Sequence, residues 1–400
     1  MKAVILAAGE GSRMRPLTYT RPKVMLPIAN KPILEHLLLE AAKAGIKEFI
    51  FVVGYCEQQV RAYFGNGEKW GVEITYRNQK KQQGTADAIR SVAELLDGHF
   101  LVINGDIIVN AEDIKKLMGA KDTTMSVIEV SDARGLGMVA LAQGKVAEIF
   151  EKTEQPPTRM ANAGLYLFTA EIFEAIAKTQ KSPRGEFEIT DSLKLLIDGG
   201  KDVYYQEIKR WLDLSYPWDL LAANETLISG VEVQNLGEVE ENVVIKGSVA
   251  IGRNTVIRSG SYIVGPVVIG QDCLIGPNCF VRPATAIGDG CHIGAAVEVK
   301  NCIVMRNTKI PHHNYFGESV IGENCNFGAG TKVANLRLDK GEVKAAGINT
   351  GRRKLGAIIA DNVETGINAS INVGTVIGNN VHIGPGTLVS GVIMHNSKIF

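Results

Sequence analysis

A run of small residues follows the first apolar segment of the chain and could hold a phosphate chain. The run is Leu6-Ala7-Ala8-Gly9-Glu10-Gly11-Ser12-Arg13, and Arg15 and Lys23 come shortly after it. Small residues let backbone N–H groups approach phosphate oxygens, and arginine and lysine neutralise the phosphate charge. The spacing matches neither a Walker A motif nor a dinucleotide fingerprint. An ordinary turn between a strand and a helix therefore stays open as the alternative.

A second group of residues that could do chemistry lies around two adjacent histidines. His312 and His313 stand in the segment 309–317, and the cations Arg282 and Lys300 precede them. An imidazole has an unperturbed pKa of about 6.5, so it can accept a proton from an attacking amine near neutral pH. The nearby cations suit a phosphorylated substrate. From the residues alone, either histidine could be the base.

The elements that position this second group follow a hexapeptide repeat. An aliphatic or similar residue returns at Ile245, Ile251, Ile257, Ile263, Ile269, Ile275, Val281, Ile287, Ile293 and Val299, again at Ile321, Phe327 and Val333, and again at Ile359, Thr365, Ile371, Ile377, Ile383 and Val389. Such a repeat predicts a parallel β-helix, in which each step supplies one short strand. The register slips after Val299, through the histidine segment, and a loop at 336–354 leaves the repeat. Loops that project from a solenoid often carry binding groups, and Lys340 and Lys344 lie in this one.

The N-terminal part of the chain follows a different pattern. Apolar runs lie at 4–7, 49–54, 100–105 and 124–130, and helical patterns lie at 32–45 and 84–97. This alternation predicts an α/β domain with a mostly parallel sheet and crossover helices. We place the boundary near residue 230, which gives one domain of residues 1–230 and a second of residues 231–400.

Composition favours a cytoplasmic enzyme of two domains. The 400 residues exceed the usual size of one hydrophobic core, and equal numbers of basic and acidic residues, 43 each, give no net field for nucleic acid or anionic lipid. The N-terminus is unlike a signal peptide, and no apolar stretch approaches the ~18 residues of a membrane span. The six cysteines include no C-x-x-C pair, and four of them recur with the coil, so we expect packing roles and no zinc site.

The motifs of the first domain, taken together, resemble those of sugar-phosphate nucleotidyltransferases. The shared segments are LAAGEGSRMRPLTYTRPKVMLPIANKPILEH from Leu6 onward, QKKQQGT at 79–85, Asn104-Gly105-Asp106, Gly135-Leu136-Gly137, Glu151-Lys152, Asn162-Ala163-Gly164 and Trp211-Leu212-Asp213. The resemblance implies a Rossmann-like domain that transfers a nucleotidyl group from UTP or dTTP to a sugar 1-phosphate and releases pyrophosphate.

The same resemblance assigns roles to individual residues. The opening loop Leu6-Ala7-Ala8-Gly9 would bind the triphosphate with the cations Arg13 and Lys23 as catalytic residues, while Gln79, Gly84 and Thr85 read the base. The sugar phosphate would contact Gly137, Glu151, Lys152 and Asn162. We expect Asp106 and Asp213 to bind Mg²⁺, which one or two carboxylates and phosphate oxygens typically hold. Ser215 stands where the family often has glycine near the second aspartate.

Residues 280 to 390 resemble the acetyltransferase half of the bifunctional glucosamine-1-phosphate acetyltransferases/N-acetylglucosamine-1-phosphate uridylyltransferases. The shared elements are Arg282-Pro283, Val297-Glu298-Val299-Lys300, the stretch from His312 through Tyr315 to Gly317, Asn326 to Thr331, and Asn335. The resemblance implies a left-handed β-helix, acetyl-CoA as co-substrate and a homotrimer, and it is strongest to archaeal-type enzymes. It makes His312 the base, places Arg282, Lys300, Tyr315 and Asn326 on the sugar phosphate, and places Ala329 and Asn335 at acetyl-CoA. The roles of Lys340 and Lys344 stay open.

Three functional hypotheses follow. The favoured one is an enzyme that acetylates glucosamine 1-phosphate and then couples N-acetylglucosamine 1-phosphate to a nucleotide. The second is a single-activity thymidylyl- or guanylyltransferase whose β-helix serves regulation or assembly. The third is an inactive sugar-nucleotide sensor, against which the presence of Lys23, Asp106 and Asp213 argues. The sequence does not choose the base or the sugar.

Overall fold

The structure is a computed structural model that describes residues 1–131, 133, 135–151 and 157–400. Contacts divide the chain into two compact units. The first unit comprises Met1–Glu10, Arg21–Met25 and Ile33–Asp213, and the second comprises Gly11–Thr20, Leu26–Pro32 and Leu214–Phe400. Two short segments of the N-terminal part thus belong to the second unit. The boundary near residue 230 stays a prediction about which parts fold on their own.

The described residues of the N-terminal part form thirteen strands and seven α-helices. The strands are β1 Lys2–Ala7, β2 Pro27–Ile28, β3 Lys31–Pro32, β4 Glu48–Val53, β5 Glu73–Asn78, β6 Phe100–Asn104, β7 Ile107–Ile108, β8 Thr124–Glu129, β9 Gly137–Ala142, β10 Lys145–Glu151, β11 Met160–Phe168, β12 Tyr204–Glu207 and β13 Leu212–Asp213. The helices are α1 Ile33–Lys43, α2 Glu57–Phe64, α3 Thr85–Arg90, α4 Ala111–Met118, α5 Ile172–Lys178, α6 Ile189–Asp198 and α7 Asp219–Ile228.

Nine of these strands form one sheet, in the order β5-β4-β1-β6-β11-β8-β12-β10-β9. The strands from β5 to β6 are parallel, whereas β11 runs antiparallel to both β6 and β8. The sheet is therefore mixed: beyond β6 only β12 pairs in parallel, with β8, among the described strands, and the prediction of a mostly parallel sheet was wrong for the other pairings there. One of the other antiparallel pairs is a hairpin, in which β9 and β10 are joined by Gln143 and Gly144, both at positive φ, as a tight two-residue turn requires.

Helices cover both faces of this sheet. Side chains of α1, α2 and α4 pack on one face, and side chains of α3, α5 and α6 pack on the other. Along β1 the alternation is direct, since Ala3, Ile5 and Ala7 join the first core and Val4 joins the second. The α/β class is thereby confirmed. Within the described ranges, no helix combines the length and the apolarity that crossing a bilayer needs.

The C-terminal part is a parallel β-helix built from three sheets of nine, nine and eight strands. The first sheet contains Gln234–Asn235, Val249–Ile251, Val267–Ile269, Thr285–Ile287, Ile303–Val304, Val320–Ile321, Ala357–Ile359, Thr375–Ile377 and Val392–Ile393. The second contains Glu238–Val239, Val256–Ile257, Leu274–Ile275, His292–Ala295, Lys309–His312, Asn326–Phe327, Glu364–Thr365, His382–Ile383 and Lys398–Ile399. The third contains Val244–Lys246, Tyr262–Val264, Phe280–Val281, Glu298–Lys300, Tyr315–Gly317, Lys332–Val333, Ser370–Ile371 and Leu388–Val389.

The hexapeptide positions form the core of the β-helix, as predicted. From Ile251 to Val389 their side chains are buried together, and each successive coil adds one strand to each sheet. Ile245 is the exception and is 39% exposed, because its strand is the first of the third sheet and has a neighbour on one side. Buried cysteines fill corner positions of the same core, and burial raises the pKa of Cys273 to about 11, so its thiol stays protonated.

The register slip after Val299 comes from two shortened corners. The steps from Val299 to Val304 and from Phe316 to Ile321 each lack one residue, yet the strands continue to pair coil by coil. Asn301 and Glu318 turn these corners in the left-handed conformation, with φ of 48° and 43°. The prediction that the histidine segment interrupts the coil was wrong, since 309–312 and 315–317 are coil strands. The loop 336–354 does leave the coil, and it contains the hairpin Lys344–Ala345 and Ile348–Asn349.

Candidate functional site

The opening loop of the first unit is fixed by the neighbouring strand ends. The Leu6 carbonyl accepts a hydrogen bond from Gly105 N at 2.9 Å, and the Ala8 carbonyl accepts one from Tyr55 N at 3.1 Å. Ala7 is the last residue of β1 and is buried. A side chain added at Gly9 would meet open space, so the backbone there is accessible to a ligand. The loop can present peptide groups to phosphate oxygens from a rigid base.

A lysine and an aspartate meet at the carboxyl end of β6. Lys23 Nζ lies 2.6 Å from Asp106 Oδ2, and the lysine side chain is only 9% exposed. Asp213 pairs in register with Ile107, the residue after Asp106, so the backbone brings the two predicted metal ligands to adjacent positions. Across the described ranges no group of three or more His, Cys, Asp or Glu side chains is arranged to hold a metal. Two carboxylates nevertheless suit Mg²⁺, which takes its other ligands from phosphate and water.

The residues predicted to read the base are held together around Gln79. Its amide Nε2 donates to the Gly84 carbonyl at 3.1 Å and to Asp87 Oδ2 at 2.9 Å. Gly84 has a φ of 108° and lies against the backbone of Phe187, which explains why glycine is needed there. Thr85 Oγ1 accepts from Ile189 N at 2.9 Å. The three predicted residues thus lie close together at the start of α3.

The predicted sugar contacts converge on Glu151. Gly137 pairs with Glu151 across the β9–β10 hairpin, and a methyl group at Gly137 would lie 3.1 Å from Glu151 Oε2 and 3.8 Å from Asn162 Cβ. Asn162 donates to the Tyr166 hydroxyl at 2.8 Å, and burial raises the pKa of that tyrosine. Arg184 donates to Glu151 Oε1 at 3.1 Å, a contact that the motifs did not indicate. Lys152 lies outside the described residues.

Arg13, predicted to be catalytic, belongs to the second unit. Its guanidinium carbon lies 5.8 Å from the ring centroid of Tyr216, which places it in a cation–π contact. Its role at the triphosphate stays a prediction.

In the β-helix, Glu318 connects three of the predicted sugar and acetyl-CoA residues. Lys300 Nζ lies 2.7 Å from Glu318 Oε1, and the glutamate side chain is only 4% exposed. Asn335 Nδ2 donates to Glu318 Oε2 and also to the Tyr315 hydroxyl, the latter at 3.2 Å. The sequence motifs include each of these residues except Glu318. Glu318 could have been identified from the hexapeptide spacing, because it lies in the step from Phe316 to Ile321, which is one residue shorter than a regular hexapeptide step.

Burial and the charges of this network together shift two pKa values. Burial opposes the charged form of Lys300, but the hydrogen bond and negative charge of Glu318 outweigh burial, so the pKa of the lysine is raised. Burial and then the charges of Glu318 and Glu298 raise the pKa of Tyr315. At neutral pH the network therefore presents an ammonium group and a protonated phenol.

A second carboxylate holds Arg282 near this network. Arg282 Nη1 donates to Glu298 Oε1 at 2.7 Å, and its guanidinium lies over the Phe280 ring, 5.4 Å from the centroid. Glu298 and Tyr315 are in register on adjacent strands of the third sheet. The two predicted phosphate-binding cations thus lie on neighbouring coils, Arg282 directly after Phe280–Val281 and Lys300 at the end of Glu298–Lys300, and each has its own glutamate.

The two candidate bases occupy different positions. His312 is exposed at the end of its strand, and within the described part of the chain its imidazole makes no hydrogen bond or ion pair. Burial, then the nearby charges of His312 and Lys309, lower the pKa of His292. His313 turns a corner with a φ of 51°, and its carbonyl accepts a hydrogen bond from Lys332 Nζ. His313 therefore has a backbone role as well as an exposed side chain, and His312 stays the predicted base.

The remaining predicted residues lie further along the coil. Asn326 is exposed and in register with Lys309 on the second sheet. The Ala329 carbonyl accepts a hydrogen bond from Asn368 N at 2.8 Å. Two lysines of the loop 336–354 have no assigned role. Lys344 lies in the loop hairpin, and the Lys340 carbonyl accepts a hydrogen bond from Arg353 Nε at 3.2 Å.

A pocket of about 440 Å³ adjoins the Glu318 network. Its lining includes Asn301, Glu318, Leu336, Arg352, Arg353 and Lys354. The basic run at 352–354 was missed as a feature of the site, although three adjacent cations beside the loop are visible in the sequence. This side of the network therefore favours an anionic ligand.

Comparisons with known proteins identify the family of this chain. A family model described as nucleotidyl transferase matches residues 2–230, and a model for the GMPPB C-terminal domain matches residues 263–399. The chain is 41% identical to the bifunctional protein GlmU of Methanocaldococcus jannaschii over 100% of this chain and 97% of that protein. It is 40% identical to a bifunctional sugar-1-phosphate nucleotidylyltransferase/acetyltransferase of Sulfurisphaera tokodaii, over 98% and 97% of the two chains.

A solved structure also matches part of the chain. A Bacillus anthracis protein assigned as a glucose-1-phosphate thymidylyltransferase is 28% identical, with a TM-score of 0.53, and covers 59% of this chain and 98% of its own. The full-length relatives and the nucleotidyl transferase model decide the family. The chain therefore belongs to the bifunctional sugar-1-phosphate nucleotidyltransferases/acetyltransferases, the class of enzyme that its motifs resemble.

Proposed function

We propose that this enzyme acetylates glucosamine 1-phosphate with acetyl-CoA and couples N-acetylglucosamine 1-phosphate to a uridylyl or thymidylyl group. The observation that supports the proposal is that each of the two compact units contains its own cluster of polar side chains. Lys23 and Asp106 form one cluster, and Lys300, Glu318 and Asn335 form the other. The products are UDP-N-acetylglucosamine, or its thymidine counterpart, and pyrophosphate.

In the nucleotidyl transfer, an oxygen of the sugar 1-phosphate attacks the α-phosphorus of the nucleoside triphosphate and pyrophosphate leaves. Little covalent work is needed from the protein, so alignment and charge neutralisation carry the catalysis. Lys23 would lie beside the phosphates, and Gln79 with Gly84 and Thr85 would hold the base. Asp106 and Asp213 would hold Mg²⁺, which when bound neutralises phosphate charge.

In the acetyl transfer, the amine of glucosamine 1-phosphate attacks the thioester carbonyl, and coenzyme A leaves as the thiol. His312 would take the proton that the amine loses. Arg282 and Lys300 would bind the sugar phosphate, with Tyr315 and Asn326 on the sugar. Ala329 and Asn335 would line the acetyl-CoA site. The proposed location of this chemistry is the cytoplasm.

The assembly that supports this chemistry is proposed to be a homotrimer, or a multiple of trimers, formed by the β-helix. Exposed apolar side chains on the third sheet support this proposal, among them Val244, Phe280 and Leu388. Neither nucleic acid nor a membrane is a proposed partner.

A matrix of sugar 1-phosphates against nucleoside triphosphates, with detection of pyrophosphate, tests the first activity. A thiol-release assay with acetyl-CoA tests the second. We expect release of pyrophosphate with N-acetylglucosamine 1-phosphate and UTP or dTTP, and release of thiol with glucosamine 1-phosphate. If the enzyme released pyrophosphate but released no thiol from acetyl-CoA with any amino sugar 1-phosphate, the acetyltransferase assignment would be wrong.

A single-activity nucleotidyltransferase is the second candidate function. The observation that favours it is the match of residues 263–399 to the GMPPB C-terminal domain. It predicts turnover of glucose 1-phosphate with dTTP or of mannose 1-phosphate with GTP, and no thiol release. The same matrix separates the two functions.

A further inference from the structure

A glutamate on α7 joins two separate parts of the β-helix. Glu225 Oε1 accepts hydrogen bonds from Asn301 Nδ2 at 2.7 Å and from Arg352 Nη2 at 2.8 Å. Asn301 turns the first of the two shortened corners, and Arg352 lies near the end of the loop 336–354. Glu225 thus ties the loop to the coil, although it lies far from both in sequence.

Arg352 is well placed to control the loop. Its backbone carbonyl accepts a hydrogen bond from Val343 N at 2.8 Å, and Val343 is fully buried in the middle of the loop. The loop closes back on the coil where Leu355 N donates to the Asn335 carbonyl at 3.1 Å. A residue that holds Arg352 in place therefore also constrains the path of the loop, from its centre at Val343 to its return beside Asn335.

The loop also determines which charges face the pocket. Arg352, Arg353 and Lys354 line it together with Asn301 and the buried Glu318. Glu225 neutralises Arg352 at 2.8 Å, and Glu318 is already paired with Lys300. Among the described residues that line the pocket, Arg353 and Lys354 are the cations without a carboxylate partner. An anionic substrate would meet these two groups.

We propose that Glu225 is a positioning residue of the acetyl-transfer site. It holds Arg352, and through Arg352 it places Arg353 and Lys354 beside the Glu318 network, where they attract the phosphate-bearing acceptor. The proposal rests on the proposed acetyl transfer. A helix within the segment matched by the nucleotidyl transferase family thereby shapes the second activity.

The test is steady-state acetyl transfer by the full chain carrying Glu225→Gln. This change keeps the shape of the side chain and removes its charge, so Arg352 loses its ionic partner. The pair is partly exposed, at 21% for Arg352 and 40% for Glu225, so the effect should be moderate. We expect the KM for glucosamine 1-phosphate to rise about five- to tenfold, with kcat and the KM for acetyl-CoA within about twofold.

Four further variants separate positioning from a general structural role. Glu225→Asp keeps the charge and should restore most of the lost affinity for glucosamine 1-phosphate. Glu225→Gln combined with Arg352→Gln should be no worse than Arg352→Gln alone, because both act through one contact. Glu232→Gln removes a charge from an exposed position just beyond α7 and should behave as wild type.

The outcomes are distinguishable from a failure of the proposed function. No thiol release by the wild-type enzyme removes the acetyl transfer itself. Active wild type with an unchanged KM in Glu225→Gln overturns the positioning role, as does a loss of kcat and of nucleotidyl transfer together. The expected result is a higher KM for glucosamine 1-phosphate, recovery in Glu225→Asp, and pyrophosphate release at the wild-type rate.

Discussion

Replacing Glu318 with glutamine should destabilise the β-helix, because it removes the one negative charge that Lys300 and Asn335 share. The glutamate side chain is 4% exposed and the lysine side chain 22% exposed, so Lys300 would keep its charge with poor access to water. Removing one partner of a buried ion pair costs about 3–5 kcal/mol. The partial exposure of Lys300 and the oxygen retained by glutamine lower our expectation to about 2 kcal/mol.

Thermal unfolding of the full chain, followed by circular dichroism, measures this loss. For a unit of this size, 1 kcal/mol corresponds to about 2–4 °C, so the transition of the β-helix should fall by about 4–8 °C. Glu364→Gln is the matched control, since its carboxylate is 58% exposed beside His382, and it should change the midpoint by less than about 2 °C. A Glu318→Gln midpoint equal to that of the control would refute the argument for a buried ion pair.

The pH dependence provides a second check on the same variant. The pKa of Lys300 is raised above its ordinary value of 10.5 by Glu318, so the pair stabilises the folded state fully below that value. This stability is lost as the pH rises through the folded pKa. The difference between wild type and Glu318→Gln should therefore be constant from about pH 6 to 9 and shrink above about pH 10.5.

Three other predictions concern the active residues and the assembly. Asp106→Ala should abolish pyrophosphate release, and Lys23→Ala should weaken nucleotide use, while both leave thiol release intact; normal pyrophosphate release by Asp106→Ala at saturating Mg²⁺ would contradict the metal assignment. His312→Ala should lower thiol release by about 10²–10⁴-fold, with His313→Ala as the weakly affected control, and the reverse order would move the base by one residue. Light scattering of the full chain at micromolar concentration should give three chains or a multiple of three, and a monomer would contradict the proposed assembly.

The sequence predicted the β-helix well because its core is periodic. Each hexapeptide position from Ile251 onward is buried, and the periodicity is a local property of the chain. Ile245 was misplaced, since its burial depends on a neighbouring coil that is absent before the first strand. The mixed sheet of the first unit was also missed, because the direction in which β11 pairs with β6 and β8 is not encoded in the hydrophobic pattern of each strand.

The candidate sites could be predicted from the sequence in part, where their residues belong to local motifs. Motif residues such as Lys23 and Asp106 carry their chemistry in their type and position, and the structure brings these two together. Partners such as Glu318 and Glu225 were not predictable, since a glutamate among many becomes important only through contacts. Glu225 meets Arg352 across 127 positions of sequence, and no local pattern encodes that contact.

The claim that one chain carries two independent activities can be tested by measuring both products from three proteins side by side. Wild type, Asp106→Ala and His312→Ala would each be assayed for pyrophosphate with N-acetylglucosamine 1-phosphate and UTP, and for thiol with glucosamine 1-phosphate and acetyl-CoA. We predict both products from the wild type, thiol alone from Asp106→Ala, and pyrophosphate alone from His312→Ala. Two separate sites with these residues at their centres would be contradicted if either variant lost both products. They would also be contradicted if both variants kept both products.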